Sequence, residues 1–124
     1  MKSKIFLLIA ACFTCALALG SDSIKILYPN GGEVLKTNTV TRVRWFSTKP
    51  NKPNNPKGKV ILILYKKGIK HSVISKATDN SGLFIWKIPR ELPEGNDYRM
   101  RIRALDNLSV NDFSDRDFTI KKGT

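Results

Sequence analysis

The chain has 124 residues, with 22 basic side chains, 10 acidic side chains and one histidine. This length is enough for one domain with a hydrophobic core and too short for several, since a domain of about 100 residues is usual. The basic excess favours acidic partners such as anionic polysaccharide, phospholipid headgroups or nucleic acid, although the charges are spread along the chain rather than gathered in one block.

The first 20 residues are typical of a secretory signal peptide. A short basic start, residues 1–4, precedes an apolar run at residues 5–19, and small residues allow cleavage after Gly20 or after Ala18. A membrane anchor is the alternative, but a run of about 15 residues is short of the ~20 that span a bilayer. The predicted mature chain, residues 21–124, has no transmembrane segment and is expected to be secreted.

Both cysteines, Cys12 and Cys15, lie inside this leader. The residues up to Cys12 also resemble a bacterial lipobox, but the apolar stretch before it is very short and apolar sequence continues beyond it. The mature chain then has no cysteine, so its core must hold the domain together without disulfides. Removing Lys2 and Lys4 with the leader leaves 20 basic and 10 acidic residues, a net charge of +10.

The mature chain begins with two short extended segments separated by a turn. In residues 23–29 large apolar side chains alternate with other residues, which predicts a strand. Residues 29–33 form a turn, because Gly31 and Gly32 permit positive φ without steric cost. Residues 34–35 are a brief extended piece.

Two stronger strands follow, on either side of a polar loop. Residues 39–46 place Thr41, Val43 and Trp45 on one face. Residues 47–58 contain three prolines and form a loop. Residues 59–66 are apolar on both faces, which indicates either a central strand covered on both sides or a strand whose outer face meets a partner.

The remaining segments are weaker in pattern. Residues 69–76 predict a strand and residues 78–82 a turn. Residues 106–112 are expected to form a loop. Residues 113–120 close the chain as a strand with its apolar side chains inward.

Residues 82–103 predict a strand, a corner and a second strand. Large apolar side chains alternate in the first strand, which Pro89 ends because proline cannot donate a hydrogen bond to a ladder. Gly95 allows a sharp turn, and Tyr98 opens the second strand. A tyrosine just after a Pro/Gly corner indicates a tyrosine corner, in which the hydroxyl bonds back to the upstream backbone and the chain crosses between the sheets of a β-sandwich.

About seven strands at this spacing, with no helical period outside the leader, predict an all-β fold, an antiparallel β-sandwich. The predicted core consists of Ile26, Val43, Trp45, Leu62, Leu64, Trp86, Ile88, Tyr98, Met100, Ile102, Phe118 and Ile120. The residues expected to be structural are Gly31, Gly32, Trp45, Gly82, Trp86, Pro89, Gly95 and Tyr98.

Six pieces of the chain, in order, resemble the immunoglobulin-like domain at the N-terminus of yeast cell-wall synthesis proteins of the KRE/KNH type. The first piece is Tyr-Pro-Asn-Gly-Gly-Glu at residues 28–33. The others lie at residues 43–45, 60–68, 80–89, 95–102 and 112–120. The pattern is also similar to that of Ser/Thr-rich, GPI-anchored fungal surface proteins and of "PNGGE" modules in secreted prokaryotic proteins.

This resemblance covers nearly the whole mature chain and implies a single immunoglobulin-like domain over residues 21–124. It suggests a role in β-glucan assembly, and it supplies no catalytic residue. Two positions depart from the family pattern. Leu35 stands where the family usually has Trp, and Asn38 stands where Gly is common.

Catalytic and metal chemistry have few candidates in this sequence. His71 lies on a weak strand and has no cysteine nucleophile to pair with, so a surface or half-buried role is expected. Asp112, Asp115 and Asp117 carry oxygens that Ca²⁺ prefers, but Arg116 interrupts them and ion pairing with neighbouring arginines is favoured. Zinc spacing and a glycine-rich phosphate loop are absent. We expect no enzyme activity, no cofactor and no metal.

One ordered basic feature is visible. Three arginines alternate on the outer face of one strand, and in an immunoglobulin-like topology the second apolar face of residues 59–66 lies on the same side of the sheet. The predicted binding set is Arg99, Arg101, Arg103, Tyr65, Ile61 and Ile63. Such a surface can stack on sugars and pair with acidic groups. The alternative is a solvated stripe of arginines balanced by Asp115, Asp117 and Glu94.

The sequence also contains an N-glycosylation sequon at Asn107, in the predicted loop, which would carry a glycan in a eukaryotic host.

These observations predict a secreted, non-catalytic module of the cell surface or cell wall. Its expected partner is cell-wall polysaccharide or an anionic surface polymer, and no nucleic acid is expected. Two alternatives stay open. One is a basic secreted protein that binds anionic polymers or membranes by charge, and the other is a homotypic or protein–protein interaction module.

Overall fold

The structure, a computed structural model, describes residues 22–48 and 58–124. The predicted signal peptide, residues 1–20, lies outside the described residues, as does most of the predicted loop at residues 47–58. Over the described ranges the chain forms nine strands and no helix. They are β1 (Ile24–Tyr28), β2 (Val34–Lys36), β3 (Val40–Ser47), β4 (Lys59–Lys66), β5 (Ile69–Asp79), β6 (Leu83–Lys87), β7 (Gly95–Ala104), β8 (Asn107–Phe113) and β9 (Phe118–Lys121).

The strands form two sheets that enclose one core, the arrangement of a β-sandwich. The smaller sheet has the order β1-β3-β6. The larger sheet has the order β2-β9-β7-β4-β5, with β8 also paired to β7. The pairing of β2 with β9 is parallel, whereas the other pairings among the described strands are antiparallel. The expected all-antiparallel sandwich therefore needs one correction, at the short strand β2.

Strand β7 lies at the centre of the larger sheet. On one edge it pairs with β4 along nearly its whole length. On the other edge β9 pairs with its first half and β8 with its second half. Because both edges of β7 are bonded, its position is held from both sides, and its outer face is flanked by β4 and β8.

The core lies between the sheets and contains all twelve predicted side chains. It also contains Ile24, Leu35, Val60 and Leu92. Leu35 is buried from β2, so an apolar side chain fills the position where the family pattern usually has tryptophan. Trp45 is buried and its indole Nε1 donates to Asn80 Oδ1 at 2.7 Å, which satisfies the polar atom of the ring.

The predicted tyrosine corner is present. Tyr98 is fully buried, and its hydroxyl donates to the carbonyl oxygen of Pro93 at 2.5 Å. Its ring stacks on Phe118 with centroids 6.1 Å apart. Burial, and after it the nearby Asp97 carboxylate, raises the pKa of the Tyr98 hydroxyl, so this donor keeps its proton. The corner carries the chain from β6 of the smaller sheet to β7 of the larger one.

Two turn positions explain features of the family pattern. Gly31 has φ 144°, and a Cβ there would lie 2.7 Å from the Cβ of Arg116. Asn38 has φ 61°, in the left-handed region that asparagine tolerates better than most side chains. Asparagine therefore meets the backbone requirement at the position where glycine is common.

The prediction of a loop at residues 106–112 is wrong. These residues contribute to β8, which forms a hairpin with β7 through the pairs Arg103↔Asn111 and Ala104↔Asn107. The segment is polar, and the later part of β8 is half-buried on both faces. Because β8 has no fully buried face, its sequence lacks the alternation of apolar and polar residues from which a strand is predicted.

Two strand boundaries also differ from expectation. The strand expected at residues 113–120 is divided, because Phe113 ends β8 and Phe118 begins β9. Between them Ser114 is held by Met100, whose backbone nitrogen donates to the serine Oγ at 3.1 Å. The weak strand expected at residues 69–76 extends to Asp79. The count rises from about seven strands to nine in the described chain because β2 and β8 are added.

We expect Tyr98→Phe to lower the free energy of unfolding by about 1–2 kcal/mol, because the variant loses one hydrogen bond and leaves the Pro93 carbonyl without its donor. Urea unfolding followed by tryptophan fluorescence measures this change. Tyr28→Phe is the matched control, since the half-buried Tyr28 hydroxyl makes no hydrogen bond with the described residues. Equal losses in the two variants would contradict a special role for the corner.

Candidate functional site

The predicted binding residues lie together on the outer face of the larger sheet. The register pairs Ile61 with Arg103, Ile63 with Arg101 and Tyr65 with Arg99. Directly paired residues point to the same side of a sheet, so strand alternation brings the six predicted residues into one surface. We call this surface the arginine face.

Strand β8 adds two residues that the sequence analysis missed. The register pairs Arg101 with Phe113 and Arg103 with Asn111, so both partners belong to the arginine face. They were missed because residues 106–112 were expected to form a loop. The turn between β7 and β8 is Leu105-Asp106, and the turn-favouring residues Asp106 and Asn107 are the sequence signal that indicates a hairpin here.

Arg101 is held at the centre of the arginine face. Its Nη1 donates to the Tyr65 hydroxyl at 2.9 Å, and its Nε and Nη2 donate to Asn111 Oδ1 at 3.2 and 3.1 Å. The guanidinium lies over the Phe113 ring, 4.7 Å from its centroid. The rings of Tyr65 and Phe113 meet edge to face with centroids 4.9 Å apart. The result is one cation fixed between two aromatic rings.

The other two arginines have different partners. Arg99 Nε donates to Asp117 Oδ1 at 2.8 Å, and both side chains are about half exposed. Arg103 donates from Nε and Nη2 to the carbonyl oxygen of Leu108. Of the three carboxylates expected to balance the arginines, Asp117 is the one that pairs with an arginine, Arg99. Asp115 instead lies 3.6 Å from Lys25 Nζ.

The third carboxylate of that set, Glu94, also lies away from the arginines. Its Oε2 accepts from the backbone nitrogen of Lys122 at 2.7 Å. The apolar members of the face differ in access. Ile63 is buried at 4 % exposure, whereas Ile61 and Tyr65 are half-buried. Accessible contacts on this face therefore come chiefly from the aromatic rings and the arginines.

A groove runs beside the aromatic pair. It has a volume of about 410 Å³ and is lined by Tyr65, Lys67, Gly68, Asp97, Arg99, Phe113 and Asp117. Lys67 has φ 55° at the tip of the turn between β4 and β5, and Gly68 has φ 75°. This tight turn forms one end of the groove. The groove offers aromatic surface together with hydrogen-bond donors and acceptors.

The family model of the Kre9/KNH-like N-terminal Ig-like domain matches residues 28–120. The chain belongs to this family. The match includes the tyrosine corner, both sheets and the arginine face. The family is linked to yeast cell-wall β-glucan synthesis. No curated protein matches the chain, and no solved structure does.

In this Kre9/KNH-like domain Asp97, which lines the groove, forms a half-buried ion pair with Lys66. Lys66 Nζ lies 2.8 Å from Asp97 Oδ1 and 3.1 Å from Oδ2. The hydrogen bond from Lys66 lowers the pKa of Asp97 below its usual value of 3.8, against the opposing effect of burial. Lys66 Nζ also lies 5.2 Å from the centroid of the Tyr98 ring. The pair thus joins the groove to the tyrosine corner.

The three aspartates considered for calcium have separate partners in the domain. Asp112 Oδ2 accepts from the backbone nitrogen of Ile26 at 2.8 Å. Asp115 Oδ2 accepts from Asn30 Nδ2 at 3.0 Å, and Asp117 pairs with Arg99. Within residues 22–48 and 58–124, no group of three or more His, Cys, Asp or Glu residues could hold a metal ion.

The remaining predicted positions are exposed. His71 lies on β5, where its Nδ1 is 3.4 Å from Ser72 Oγ. Asn107 is the first residue of β8, and its Oδ1 accepts from the nitrogen and the hydroxyl of Ser109. Glycosylation of Asn107 stays a prediction. The described part of the chain contains no helix long and apolar enough to cross a membrane.

Asp97 gives the domain a predicted acid sensitivity. Because the folded-state pKa is lowered, the ion pair stabilises the fold above the unfolded pKa, near 3.8, and this contribution disappears as pH falls through the lower folded-state value. We expect Asp97→Asn to be less stable than the wild type at pH 6, by about 1 kcal/mol or less, and the difference to shrink toward pH 2.

Urea unfolding across this pH range measures the effect. Asp106→Asn is the control, because Asp106 is an exposed turn residue that makes no ion pair with the described residues. A stability difference for Asp97→Asn that stays constant with pH would contradict the role of its charge.

Proposed function

We propose that this domain is a secreted, non-catalytic module of the cell surface or cell wall that binds wall polysaccharide through the arginine face. The observation that supports this most strongly is the groove beside Tyr65 and Phe113. The leader at residues 1–20 supports secretion. The family's link to β-glucan synthesis supports a polysaccharide as the ligand.

The chemistry of the groove suits a sugar. A pyranose ring has apolar C–H faces that stack on aromatic rings and hydroxyl groups that both donate and accept hydrogen bonds. The aromatic pair of Tyr65 and Phe113 provides apolar surface at the groove. The paired Arg99 and Asp117, which also line the groove, offer donors and acceptors beside that surface.

The charges that line the groove favour a neutral polysaccharide over an acidic one, because the two lining carboxylates, Asp97 and Asp117, oppose the two lining cations, Lys67 and Arg99. Arg99 is paired with Asp117, and Lys66 is paired with Asp97. Arg101 donates to the neutral groups of Tyr65 and Asn111. Because two of these cations already have carboxylate partners, their attraction for an anionic polymer is reduced. A β-glucan, which is uncharged, avoids that competition.

Binding of anionic polymers by overall charge is the second candidate, and the net charge of +10 expected for residues 21–124 supports it. The two candidates differ in their salt dependence. Attraction between charged surfaces weakens steeply as salt rises, whereas stacking and hydrogen bonding to a neutral sugar do not. Retention measured at low and high salt therefore distinguishes them.

We expect the wild type to be retained on insoluble β-glucan and Tyr65→Ala to bind about tenfold more weakly, since removing a buried aromatic contact costs about 1.5 kcal/mol. Phe46→Ala is the matched control, because Phe46 is an exposed aromatic residue on the smaller sheet. A co-sedimentation isotherm at low and high salt measures both variants.

The control Phe46→Ala is expected to bind as the wild type does. Arg101→Glu is a second test of the face, since it replaces the cation held between the rings with an anion. Equal weakening in Tyr65→Ala and Phe46→Ala, or binding that is lost at high salt, would count against a neutral polysaccharide on this face.

A further inference from the structure

The edge strands of a β-sandwich present backbone groups that a further strand can bind. In the described chain the edges are β1 and β6 in the smaller sheet, and β2, β5 and β8 in the larger sheet, where β8 pairs with β7 alone. Proteins protect such edges with short strands, bulges, charges or a covering segment. Four of these five edges carry such a device.

Strand β2 is three residues long, which leaves little to bind. Strand β5 has irregular pairing with β4 at three places, and Lys70, His71 and Lys76 place basic groups along it. On β1 the backbone nitrogen of Ile26 donates to Asp112 Oδ2, so a carboxylate from β8 covers that edge. The pairing of β8 itself with β7 is irregular. Each device makes the addition of a strand unfavourable.

Strand β6 carries the least protection among the described residues, a single charged side chain, Lys87, at its end. Its sequence, Leu-Phe-Ile-Trp-Lys, is apolar up to its last residue, and it pairs with β3 alone. Leu83 and Ile85 are 43 % and 52 % exposed. An apolar, regular edge strand of this kind favours association with another strand.

The register shows which backbone groups of β6 are available. Trp45 N donates to Gly82 O, and Ile88 N donates to Thr39 O, so these residues face each other as hydrogen-bonded pairs. Because such pairs alternate along an antiparallel ladder, the backbone groups of Ile85 and Lys87 point away from β3. They form the binding positions of an open edge.

A cavity of about 400 Å³ lies beside this edge, between the two sheets. Its lining includes Leu64, Ile74, Phe84, Trp86 and Leu92, and it contains no carboxylate. A strand added to β6 would direct every second side chain toward this cavity, on the same side as Phe84 and Trp86. Those side chains must be apolar.

The other side chains of an added strand would point outward, beside Leu83, Ile85 and Lys87. On that face Arg42 is paired with Ile85, and Arg44 with Leu83. Strands β1, β3 and β6 contain no acidic residue. Arg42, Arg44 and Lys87 make no ion pair with the described residues, so the outward side chains of the added strand meet uncompensated positive charge.

We propose that the open edge of β6 binds an extended segment of a partner protein in which apolar residues alternate with carboxylates. The apolar residues enter the cavity between the sheets, the carboxylates face Arg42, Arg44 and Lys87, and the backbone pairs with Ile85 and Lys87. Such strand addition gives affinity through main-chain hydrogen bonds and selectivity through alternate side chains. This binding is separate from the arginine face.

The test uses a labelled, capped peptide of about eight residues in which glutamate alternates with valine. We expect it to bind the full domain, as measured by fluorescence anisotropy, and to slow hydrogen exchange at the amides of Ile85 and Lys87. The same peptide with lysine in place of glutamate, or with N-methyl groups on alternate backbone nitrogens, is expected not to bind.

Two protein variants test the edge. Ile85→Pro removes an N–H that points away from β3, so the ladder within the domain is kept while the peptide loses its partner. Lys87→Glu reverses an exposed charge without changing the backbone. We expect each to weaken binding by about tenfold or more, the second less strongly at high salt. Lys121→Glu, on the larger sheet, is the matched control and is expected to bind normally.

Several results would overturn the proposal. They are failure of the glutamate–valine peptide to bind at millimolar concentration, equal binding of the lysine peptide, and undiminished binding to a folded Ile85→Pro variant. Hydrogen exchange slowed at β5 instead of β6 would also do so. A dimer in sedimentation that Ile85→Pro abolishes would overturn the partner assignment, because a second copy would then occupy the edge.

Discussion

The hydrogen bond from the Tyr98 hydroxyl to the Pro93 carbonyl fixes the corner at which the chain crosses from one sheet of this domain to the other. It closes the corner between β6, an edge of the smaller sheet, and β7, the centre of the larger one. Residues 21–124 contain no cysteine, because both cysteines of the chain lie at positions 12 and 15. Core packing and this corner therefore do the work that a disulfide does in antibody domains.

The two outer faces of the sandwich differ in how their charges are balanced. On the larger sheet Arg99 is paired with Asp117, whereas Arg101 and Arg103 donate to neutral acceptors. In the groove beside them the two lining carboxylates, Asp97 and Asp117, oppose the two lining cations, Lys67 and Arg99. On the smaller sheet Arg42 and Arg44 have no acidic residue on their own strand or its neighbours. The same basic composition thus yields a groove suited to a neutral ligand on the larger sheet and a face suited to an acidic ligand on the smaller one.

Much of this fold was predictable because most strands have one fully buried face. Alternation in residues 82–103 placed Trp86 and Tyr98 in the core, and the Pro/Gly spacing indicated the corner. Strand β8 was not predictable in this way, since its later part is half-buried on both faces. The arginine face followed from alternation alone, but its aromatic pair required Phe113 and therefore β8. The open edge of β6 depends on which strands are neighbours, which no local pattern reveals.

The positions of the two proposed sites argue for simultaneous use. The arginine face lies on the outer side of the larger sheet, while an added strand on β6 extends the smaller sheet, about 10 Å away across the core. A polysaccharide chain lying on the first surface does not obstruct the second. Phe84 and Trp86 line the cavity at the edge of β6 and also pack in the core between the sheets. The apolar side chains of a bound strand would therefore add to that core. A domain with this geometry can hold a wall polymer on one side and a protein segment on the other.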